Sequence, residues 1–421
     1  MTGNHESGTP ARTRDLDVVV YGATGFVGRL TAEYLARHAP DGTRIGLAGR
    51  SRERLERVRE QIPGASQWPV LVASADDPAS LDALAAATRV VVTTVGPYAR
   101  YGIDLVRACA EAGTDYADLT GEVPFVRESI DRYHDAATAS GARIVHSCGF
   151  DSIPSDLGVH VLHEQVAADG EGTLLDTTMV VTSFRGGVSG GTVDSMRGLV
   201  DAAKADKHIR TVMAQPYSLS PDAAAEPNVG RQPDAALVKG SDIAPGLKGV
   251  TAPFAMGPVN TRVVRRSNAL RGWAYGRRFR YREVMSVGQS PLSPVLAAGV
   301  AAGLGGLIAG LSFPPTRALL DRVLPKPGEG PSEKTRTTGH FTTDVYTTTT
   351  TGVRYTSRMH AKGDPGYAAT SVMLGESALA LALDRDTLPA TAGVLTPATA
   401  IGDRLVERLR DAGFEITVRR T

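Results

Sequence analysis

Cysteine and lysine are scarce in this 421-residue sequence, and neither sign of charge is in excess. The two cysteines, Cys109 and Cys148, are too few for a disulfide framework and fit a reducing compartment. Lysine and arginine together number 46 against 45 acidic residues, which gives a formal net charge of +1. A chain with nearly equal numbers of positive and negative charges has no broad electrostatic field that would attract nucleic acid. We therefore expect a cytoplasmic protein that does not bind nucleic acid.

The scarcity of lysine and the spacing of histidine exclude two kinds of site. No tyrosine is followed four residues later by lysine, the pair with which many short-chain reductases polarise a carbonyl. His134, His146 and His160 are predicted on different elements, at spacings that suit no metal site. The sequence thus disfavours simple ketone reduction by that mechanism and predicts no metal centre.

Long apolar runs are also missing, with one exception. Residues 1–14 are polar, lack the apolar region of a signal peptide, and are predicted to be a disordered leader. By contrast, 284–316 contains no charged residue, and 295–311 is almost entirely aliphatic or glycine. As a helix, 295–311 would be about 25 Å long, shorter than a hydrocarbon core of about 30 Å.

Three interpretations of the uncharged segment 284–316 remain open. It could span a membrane, lie buried in the protein, or contact a membrane surface or a lipid substrate. Just before it, 273–282 combines arginine with tryptophan and tyrosine, which suits an interface with anionic lipid. We therefore hypothesise that 273–316 contacts the inner face of the plasma membrane.

A glycine-rich turn between a strand and a helix lies near the start of the chain. The β-branched run Val18–Val20 is followed by three glycines spaced three apart, and then by a helical pattern over 30–36. Such a turn brings bare backbone and the first amides of a helix up to the diphosphate of a dinucleotide. The residues predicted to bind the cofactor here are Gly22, Thr24, Gly25, Phe26, Val27 and Gly28.

The second predicted strand, 43–49, leads into Arg50 rather than into a carboxylate. An acid at this place holds the ribose 2′-hydroxyl of NAD, whereas a guanidinium pairs with the 2′-phosphate of NADP. Arg50 could instead simply begin the arginine-rich helix predicted over 51–60. We predict NADP(H) as the cofactor, bound in part by Arg50 and Ser51.

Strands and helices alternate through the first 165 residues. The further strands are predicted at 69–73, 89–95, 115–120 and 143–147. This alternation predicts an α/β fold with a Rossmann-like, doubly wound parallel sheet. Ligands of such sheets lie beyond the carboxyl ends of the strands. Gly96, Pro97 and Tyr98, which follow the fourth strand, are therefore predicted beside the nicotinamide half of the cofactor.

Several motifs together resemble the saccharopine dehydrogenase-like oxidoreductases. Those in the first half are Gly22–Gly28, Ala48–Arg50, Val95–Tyr98, Tyr116–Glu122 and Gly149–Asp156, of which the last is the most specific. Those in the second half are Arg185–Thr192, Val263–Ser267, Asp364–Tyr367 and Gly393–Ala398. Within that family the sequence is most similar to actinobacterial trans-acting enoyl reductases, over nearly its whole length.

The resemblance implies both an architecture and an activity. An NADP-binding domain over 15–165, completed by 365–421, would be joined to a second, α+β domain over 166–364. The second domain would contain a mixed or antiparallel sheet that forms the substrate wall and the contact of a homodimer. The implied activity is NADPH-dependent reduction of a carbon–carbon double bond in a lipid-like acyl chain, held on a polyketide synthase.

Such a reduction needs hydride at one carbon, a proton at its neighbour, and a donor to the developing enolate oxygen. We predict Tyr98, ahead of Tyr101, as the proton donor, and Ser152 as a hydrogen-bond donor. The candidates for an orienting carboxylate are Asp118, Glu122 and Asp151. Other roles remain open, because Tyr98 could stack on the cofactor and Asp151 or Ser152 could cap the helix that follows.

Two other functions also remain open. A saccharopine-type reaction, which forms or oxidises an amine, would need arginines for a substrate with several carboxylates; Arg185, Arg265 and Arg266 are candidates. A catalytically silent NADP(H) sensor or scaffold would use the same fold for binding alone. The apolar segment 284–316 suits a lipid better than an amino acid.

Overall fold

A computed structural model describes residues 14–187, 190–320, 322 and 332–421. The predicted leader, 1–14, lies outside these residues except for its last one. The strands, in chain order, are β1 Leu16–Tyr21, β2 Ile45–Gly49, β3 Val70–Val72, β4 Thr88–Thr93, β5 Asp115–Ala117, β6 Arg143–Val145, β7 Leu174–Arg185, β8 Val238–Lys239, β9 Val250–Pro253, β10 Arg280–Met285, β11 His340–Thr349, β12 Arg354–Lys362, β13 Gly393–Leu395 and β14 Glu415–Arg420.

Helices connect these strands and cover both sheets. In chain order they are α1 Phe26–His38, α2 Arg52–Gln61, α3 Pro78–Ala87, α4 Tyr98–Tyr101, α5 Ile103–Ala112, α6 Val123–Ser140, α7 Ile153–Ala168, α8 Gly190–Ala205, α9 Lys207–Ala214, α10 Gly257–Leu270, α11 Ser293–Ser312, α12 Pro314–Leu320, α13 Glu333–Thr338, α14 Thr370–Leu383, α15 Pro397–Ala400 and α16 Asp403–Asp411.

The first sheet, sheet A, is parallel throughout and has the strand order β13-β6-β5-β4-β1-β2-β3. Strand β1, which lies between β4 and β2, is buried over its whole length. Side chains of β1 alternate between two cores: Val18 and Val20 face the core that includes α1 and α14, whereas Val19 and Tyr21 face the core of α3, α5 and α6. Burial on both faces explains the continuous apolar run Val18–Val20 within the strand.

The second sheet, sheet B, is mixed and has the order β14-β12-β11-β7-β10-β9-β8. Strands β7 and β10 are parallel, and the other neighbouring pairs are antiparallel. The predicted fold class, a Rossmann-like parallel sheet with a second unit built on a mixed sheet, is therefore confirmed.

Helix α7 joins the two sheets because it is apolar on all sides. Ile153, Leu157 and Val161 belong to a core that contains residues from both sheets, whereas Val159 and Leu162 belong to a core on sheet B. The helix begins in the loop after β6. That loop, which carries Asp151 and Ser152, consequently lies where the two sheets meet.

The end of the chain is divided between the sheets. Strand β13 extends sheet A beside β6, but β14 pairs with β12 at the edge of sheet B. The expectation that all of 365–421 completes the first domain therefore differs from the structure at β14, because its hydrogen-bond partner belongs to the second sheet. The stretch 214–262, which shows little periodicity, contains β8, β9 and the start of α10.

The uncharged segment forms helix α11, and it lies on the surface. In its most apolar 18-residue window only 11% of the residues are buried. The interpretation of this segment as a helix buried within the chain is therefore wrong. By length and composition α11 and the helical segment Pro365–Leu383 are both apolar enough to cross a membrane, but 78% of the latter is buried.

Candidate functional site

The turn between β1 and α1 has space for backbone only. Gly22 has a φ of +89°, and a Cβ atom there would lie 2.8 Å from Cγ2 of Val95. A Cβ at Gly28 would lie 2.2 Å from the carbonyl oxygen of Gly22, so α1 packs directly on the turn. Thr24 and Gly25, between these two contacts, are exposed. Gly22 and Gly28 are thus required by turn geometry and by close packing.

The first turn of α1 offers unused hydrogen-bond donors. The first bond of the helix runs from the amide of Arg29 to the carbonyl of Gly25. The amides of Phe26, Val27 and Gly28 have no acceptor among the described residues, and no side chain caps the helix. Bare, outward-facing amides at a helix N-terminus suit a diphosphate, so the predicted residues fit a dinucleotide.

Arg50 follows β2 at the same edge of sheet A and is exposed. Within the described part of the chain its side chain has no hydrogen bond or ion pair, although its charge acts on the nearby phenol of Tyr21. Helix α2 begins only at Arg52, and the Ser51 hydroxyl caps it by accepting a bond from the Arg54 amide at 3.4 Å. Arg50 therefore stands apart from the helix and is available to a 2′-phosphate.

Tyr98 lies in the loop after β4, beside the Gly96–Pro97 peptide bond, which is cis. Its ring is buried, and its hydroxyl donates to the Thr93 carbonyl at 3.1 Å and accepts from the Leu119 amide at 3.2 Å. Burial raises the pKa of Tyr98 well above its ordinary value. The hydroxyl is thus held by backbone groups inside the protein, an arrangement that anchors the loop.

Glu122 holds the other side of this loop. Its carboxylate accepts hydrogen bonds from the amides of Tyr98 and Ala99 at 3.0 and 2.8 Å, so it caps α4. It also accepts a bond from the hydroxyl of Ser195, on α8, at 2.6 Å. The loop beside the predicted nicotinamide site is therefore tied to a helix that follows sheet B's longest strand, β7.

Two aspartates near the ends of β5 and β6 differ sharply in their partners. Asp118 is fully buried. Its two oxygens accept four hydrogen bonds, from the Tyr116 hydroxyl, the His146 ring and the amides of Thr120 and Ser147. The other His146 nitrogen lies 2.9 Å from the Ser129 hydroxyl. Since every member is satisfied and buried, this cluster supports the strand ends.

Asp151 is only half-buried, and among the described residues no other residue donates a hydrogen bond to its carboxyl. Burial, and then the charge of Asp118, raise the pKa of Asp151 to about 7. A carboxyl that has a pKa near neutral and accepts no hydrogen bond from another described residue is suited to acid–base chemistry.

Ser152 begins α7, but its side chain does not cap the helix, in contrast to the capping role considered for it. Its hydroxyl instead donates to the side chain of Asn260 at 2.9 Å. Asn260 in turn donates to Glu283 at 2.9 Å, and the Tyr281 hydroxyl donates to the same carboxylate at 2.8 Å. Ser152 is therefore the first member of a buried polar chain that runs into sheet B.

Sequence reasoning missed Asn260 and Glu283. Burial raises the pKa of Glu283 to about 7. The one signal available in the sequence was the charge of Glu283 directly before the apolar residues that end β10. Nothing in the sequence pairs that position with Ser152, because α10 and β10 lie more than a hundred residues away.

The arginines considered for a substrate with several carboxylates are already engaged, apart from Arg185. Arg265 donates to the carbonyls of Pro216 and Tyr281, at 3.1 and 2.9 Å. Arg266 donates to the carbonyls of Leu219 and Val394, at 2.6 and 2.5 Å. Both side chains are buried. These two side chains therefore bind backbone carbonyls and are not free to bind the carboxylates of an amino-acid substrate.

Comparison with known proteins agrees with this geometry. Residues 18–145 match the family described as the saccharopine dehydrogenase NADP binding domain. The chain is 56% identical to a putative trans-acting enoyl reductase of Mycobacterium tuberculosis, over 97% of this chain and 99% of that protein. It is 51% identical to the trans-acting enoyl reductase of Mycobacterium ulcerans, over 97% and 98% of the two chains.

Among solved structures, the apo saccharopine dehydrogenase (L-Glu forming) of Saccharomyces cerevisiae matches with a TM-score of 0.53 and 15% identity. The match covers 96% of this chain and 99% of that one, and it shows the fold alone. The cofactor prediction is confirmed by the family match, and the cradle of glycines with Arg50 fits it. The chain belongs to the trans-acting enoyl reductase family and carries a saccharopine dehydrogenase-type NADP-binding domain.

Proposed function

We propose that this protein reduces a carbon–carbon double bond in an acyl chain, with NADPH as the reductant and a polyketide synthase as the carrier. The observation that carries the proposal is the identity of 53% to the trans-acting enoyl reductase of Mycobacterium tuberculosis, over 95% of this chain. The glycine cradle and Arg50 support the choice of cofactor. The engaged side chains of Arg265 and Arg266 speak against the saccharopine-type alternative.

The bound cofactor supplies a hydride, and the protein must supply the proton and hold the acceptor. Asp151 is the proton donor that we propose, because its carboxyl is partly exposed at the meeting of the two sheets and has a pKa near 7. Tyr98 and Ser152 are positioning residues in this proposal. Tyr98 holds the loop after β4, and Ser152 fixes the start of α7 through Asn260.

Oxidation of NADPH by the full-length protein, followed with enoyl thioesters of different chain length, tests the activity. Consumption of NADPH together with the saturated thioester is the expected result. Consumption with a keto acid and an amino acid instead would favour the saccharopine-type reaction. NADPH binding without turnover on any of these substrates would favour the sensor.

We also propose that α11 contacts the inner face of the plasma membrane. Val295, Leu296 and Ile308 are 70%, 49% and 55% exposed. Both ends of the helix are tied to the protein, since the Ser293 hydroxyl accepts from the Val250 amide at 3.0 Å and Lys204 donates to the Ser312 carbonyl. The helix therefore lies along the surface, as an interfacial helix does, and it does not cross the bilayer.

Flotation with vesicles of phosphatidylcholine and phosphatidylglycerol tests this contact. The wild-type protein is expected to float, and Ile308→Asp to remain at the bottom, because a charge on the apolar face opposes insertion. Val72→Asp is the matched control, since Val72 is 48% exposed on β3. Wild-type protein that stays at the bottom would remove the proposal.

The predicted homodimer stays a prediction. Sedimentation of the lipid-free protein would show whether a second copy of the chain, and not a membrane, covers α11.

A further inference from the structure

Two segments of the chain contact Phe26, at the end of the turn between β1 and α1. One segment precedes strand β11 of sheet B, and the other follows strand β12. Phe26, the first residue of α1, packs edge-on against Tyr367, with ring centroids 4.9 Å apart. On the same ring lies the guanidinium of Arg336, 5.2 Å from the centroid. Two residues from distant parts of the chain thus contact the side chain of Phe26, whose own amide is one of the unused donors of α1.

The backbone holds Arg336 in this place. Arg336 lies on α13, and its carbonyl accepts a hydrogen bond from the Asp364 amide at 2.8 Å. Next to it, the Gly339 carbonyl accepts from the Gly363 amide, also at 2.8 Å. Helix α13 and the loop before α14 are therefore one packed unit, and this unit lies against the first turn of α1.

The side chain of Arg336 forms no hydrogen bond and no ion pair within the described part of the chain. Its Nε is buried without a hydrogen-bond acceptor, and no carboxylate there forms an ion pair with it. Asp364, the nearby acid, accepts a bond from the Gly187 amide at 2.6 Å. A cation–π contact offsets only part of the cost of burying a guanidinium that has no carboxylate in contact. No carboxylate among the described residues is in contact with the guanidinium, although its charge opposes the burial that raises the pKa of Asp364.

The geometry points to Arg336 as a ligand of the cofactor's diphosphate, which it binds from outside the 18–145 domain. This inference rests on the proposed use of NADPH. The unused amides of Phe26, Val27 and Gly28 face the same anion, and a guanidinium binds phosphate oxygens with two parallel hydrogen bonds. Arg50 and Arg336 then have separate tasks: Arg50 selects the 2′-phosphate, and Arg336 holds the part that NADPH and NADH share.

The test is calorimetry of the full-length protein with NADPH and with NADH. In Arg336→Gln the Kd for both nucleotides is expected to rise about tenfold or more, because a charged hydrogen bond to the shared diphosphate is lost. Arg336→Lys, which keeps the charge, is expected to recover part of the affinity. Lys334→Gln, at an exposed position of the same helix, removes the same charge and is expected to leave both values unchanged.

Adenosine 2′-monophosphate, which has no diphosphate, separates binding from folding. It is expected to bind wild type and Arg336→Gln equally, which also shows that the variant keeps the site intact. Equal Kd values for NADPH and NADH in wild type and Arg336→Gln would overturn the inference, as would a loss confined to NADPH. If the wild type bound neither nucleotide, the cofactor proposal itself would fail. That result differs from one in which wild type and Arg336→Gln bind both nucleotides with equal Kd.

Discussion

Two apolar helices of this protein have opposite surroundings. Helix α11 has a mean hydropathy of 1.9 and is 11% buried, whereas the segment Pro365–Leu383, which includes α14, has a mean hydropathy of 1.2 and is 78% buried. The more apolar helix is thus the exposed one. Helix α14 packs between sheet A, α1 and α16, but α11 has neighbours on one side only. Composition shows that a segment is apolar, but the packing of neighbouring elements decides how much of its apolar surface stays exposed to a ligand.

Polar groups show the same contrast. Asp118 accepts four hydrogen bonds from its neighbours, whereas Asp151, at the same edge of sheet A, accepts none from another described residue. Arg266 is surrounded by carbonyls, whereas Arg50 is exposed. Groups that the fold satisfies are structural, and groups that it leaves unsatisfied mark the places where substrate, cofactor or lipid belongs.

The largest effect is expected when the unsatisfied carboxyl is removed. Asp151→Asn should lower kcat/KM for enoyl reduction about 10²–10⁴-fold, because the proton donor is lost. In the wild type kcat/KM should fall as the pH rises above about 7, where Asp151 loses its proton, and this dependence should vanish in the variant. Steady-state NADPH oxidation across pH measures both. A wild-type activity that stays constant from pH 6 to 9 would contradict the assignment.

A second effect separates the two helices. Leu379→Ala in α14 should lower the free energy of unfolding by about 2–5 kcal/mol, since Leu379 is fully buried and the truncation leaves a cavity. Leu296→Ala in α11 should change it by less than about 0.5 kcal/mol, because that side chain is 49% exposed. Urea denaturation followed by circular dichroism measures both. Equal losses would mean that α11 is covered in solution.

The exposed arginine should govern the choice of cofactor. Arg50→Asp is expected to reduce the preference for NADPH over NADH about 10–100-fold, because an anion then faces the 2′-phosphate. Arg37→Asp, an exposed position toward the far end of α1, is the control with the same change of charge. Fluorescence titration with each nucleotide gives the ratio. An unchanged ratio in Arg50→Asp would place the 2′-phosphate elsewhere.

The smallest effect is a gain in stability. Because the folded-state pKa of Asp151 is raised to about 7, the folded protein loses stability as the pH rises from about 4 through 7 and the carboxyl ionises. Asp151→Asn removes that cost. The full shift corresponds to about 4 kcal/mol, and solvent screening of the partly exposed carboxyl reduces it, so at pH 8 the free energy of unfolding of the variant should exceed that of wild type by about 1–2 kcal/mol. At pH 4 the two should be equal. Thermal melts of both proteins at pH 4 and pH 8 measure this difference in stability. An Asp151→Asn variant that is less stable than wild type at pH 8 would contradict the raised pKa of Asp151.

Local patterns determined much of the architecture. The β-branched runs and the glycines spaced three apart predict β1, the turn and α1, because steric limits on a tight turn act within a few residues. The alternation of predicted strands and helices through the first 165 residues likewise predicts the parallel sheet A. Arg50 was also predictable, since its place after the second strand follows from the order of elements.

Tertiary structure alone decided which of these groups remain unsatisfied. The Tyr98 hydroxyl points into the protein, Ser152 joins Asn260 rather than its own helix, and β14 pairs with β12. Each outcome depends on a partner that lies far away in sequence or is set by the packing of whole elements, and no local spacing encodes it. The same reason applies to α11, whose exposure depends on what the rest of the chain leaves uncovered.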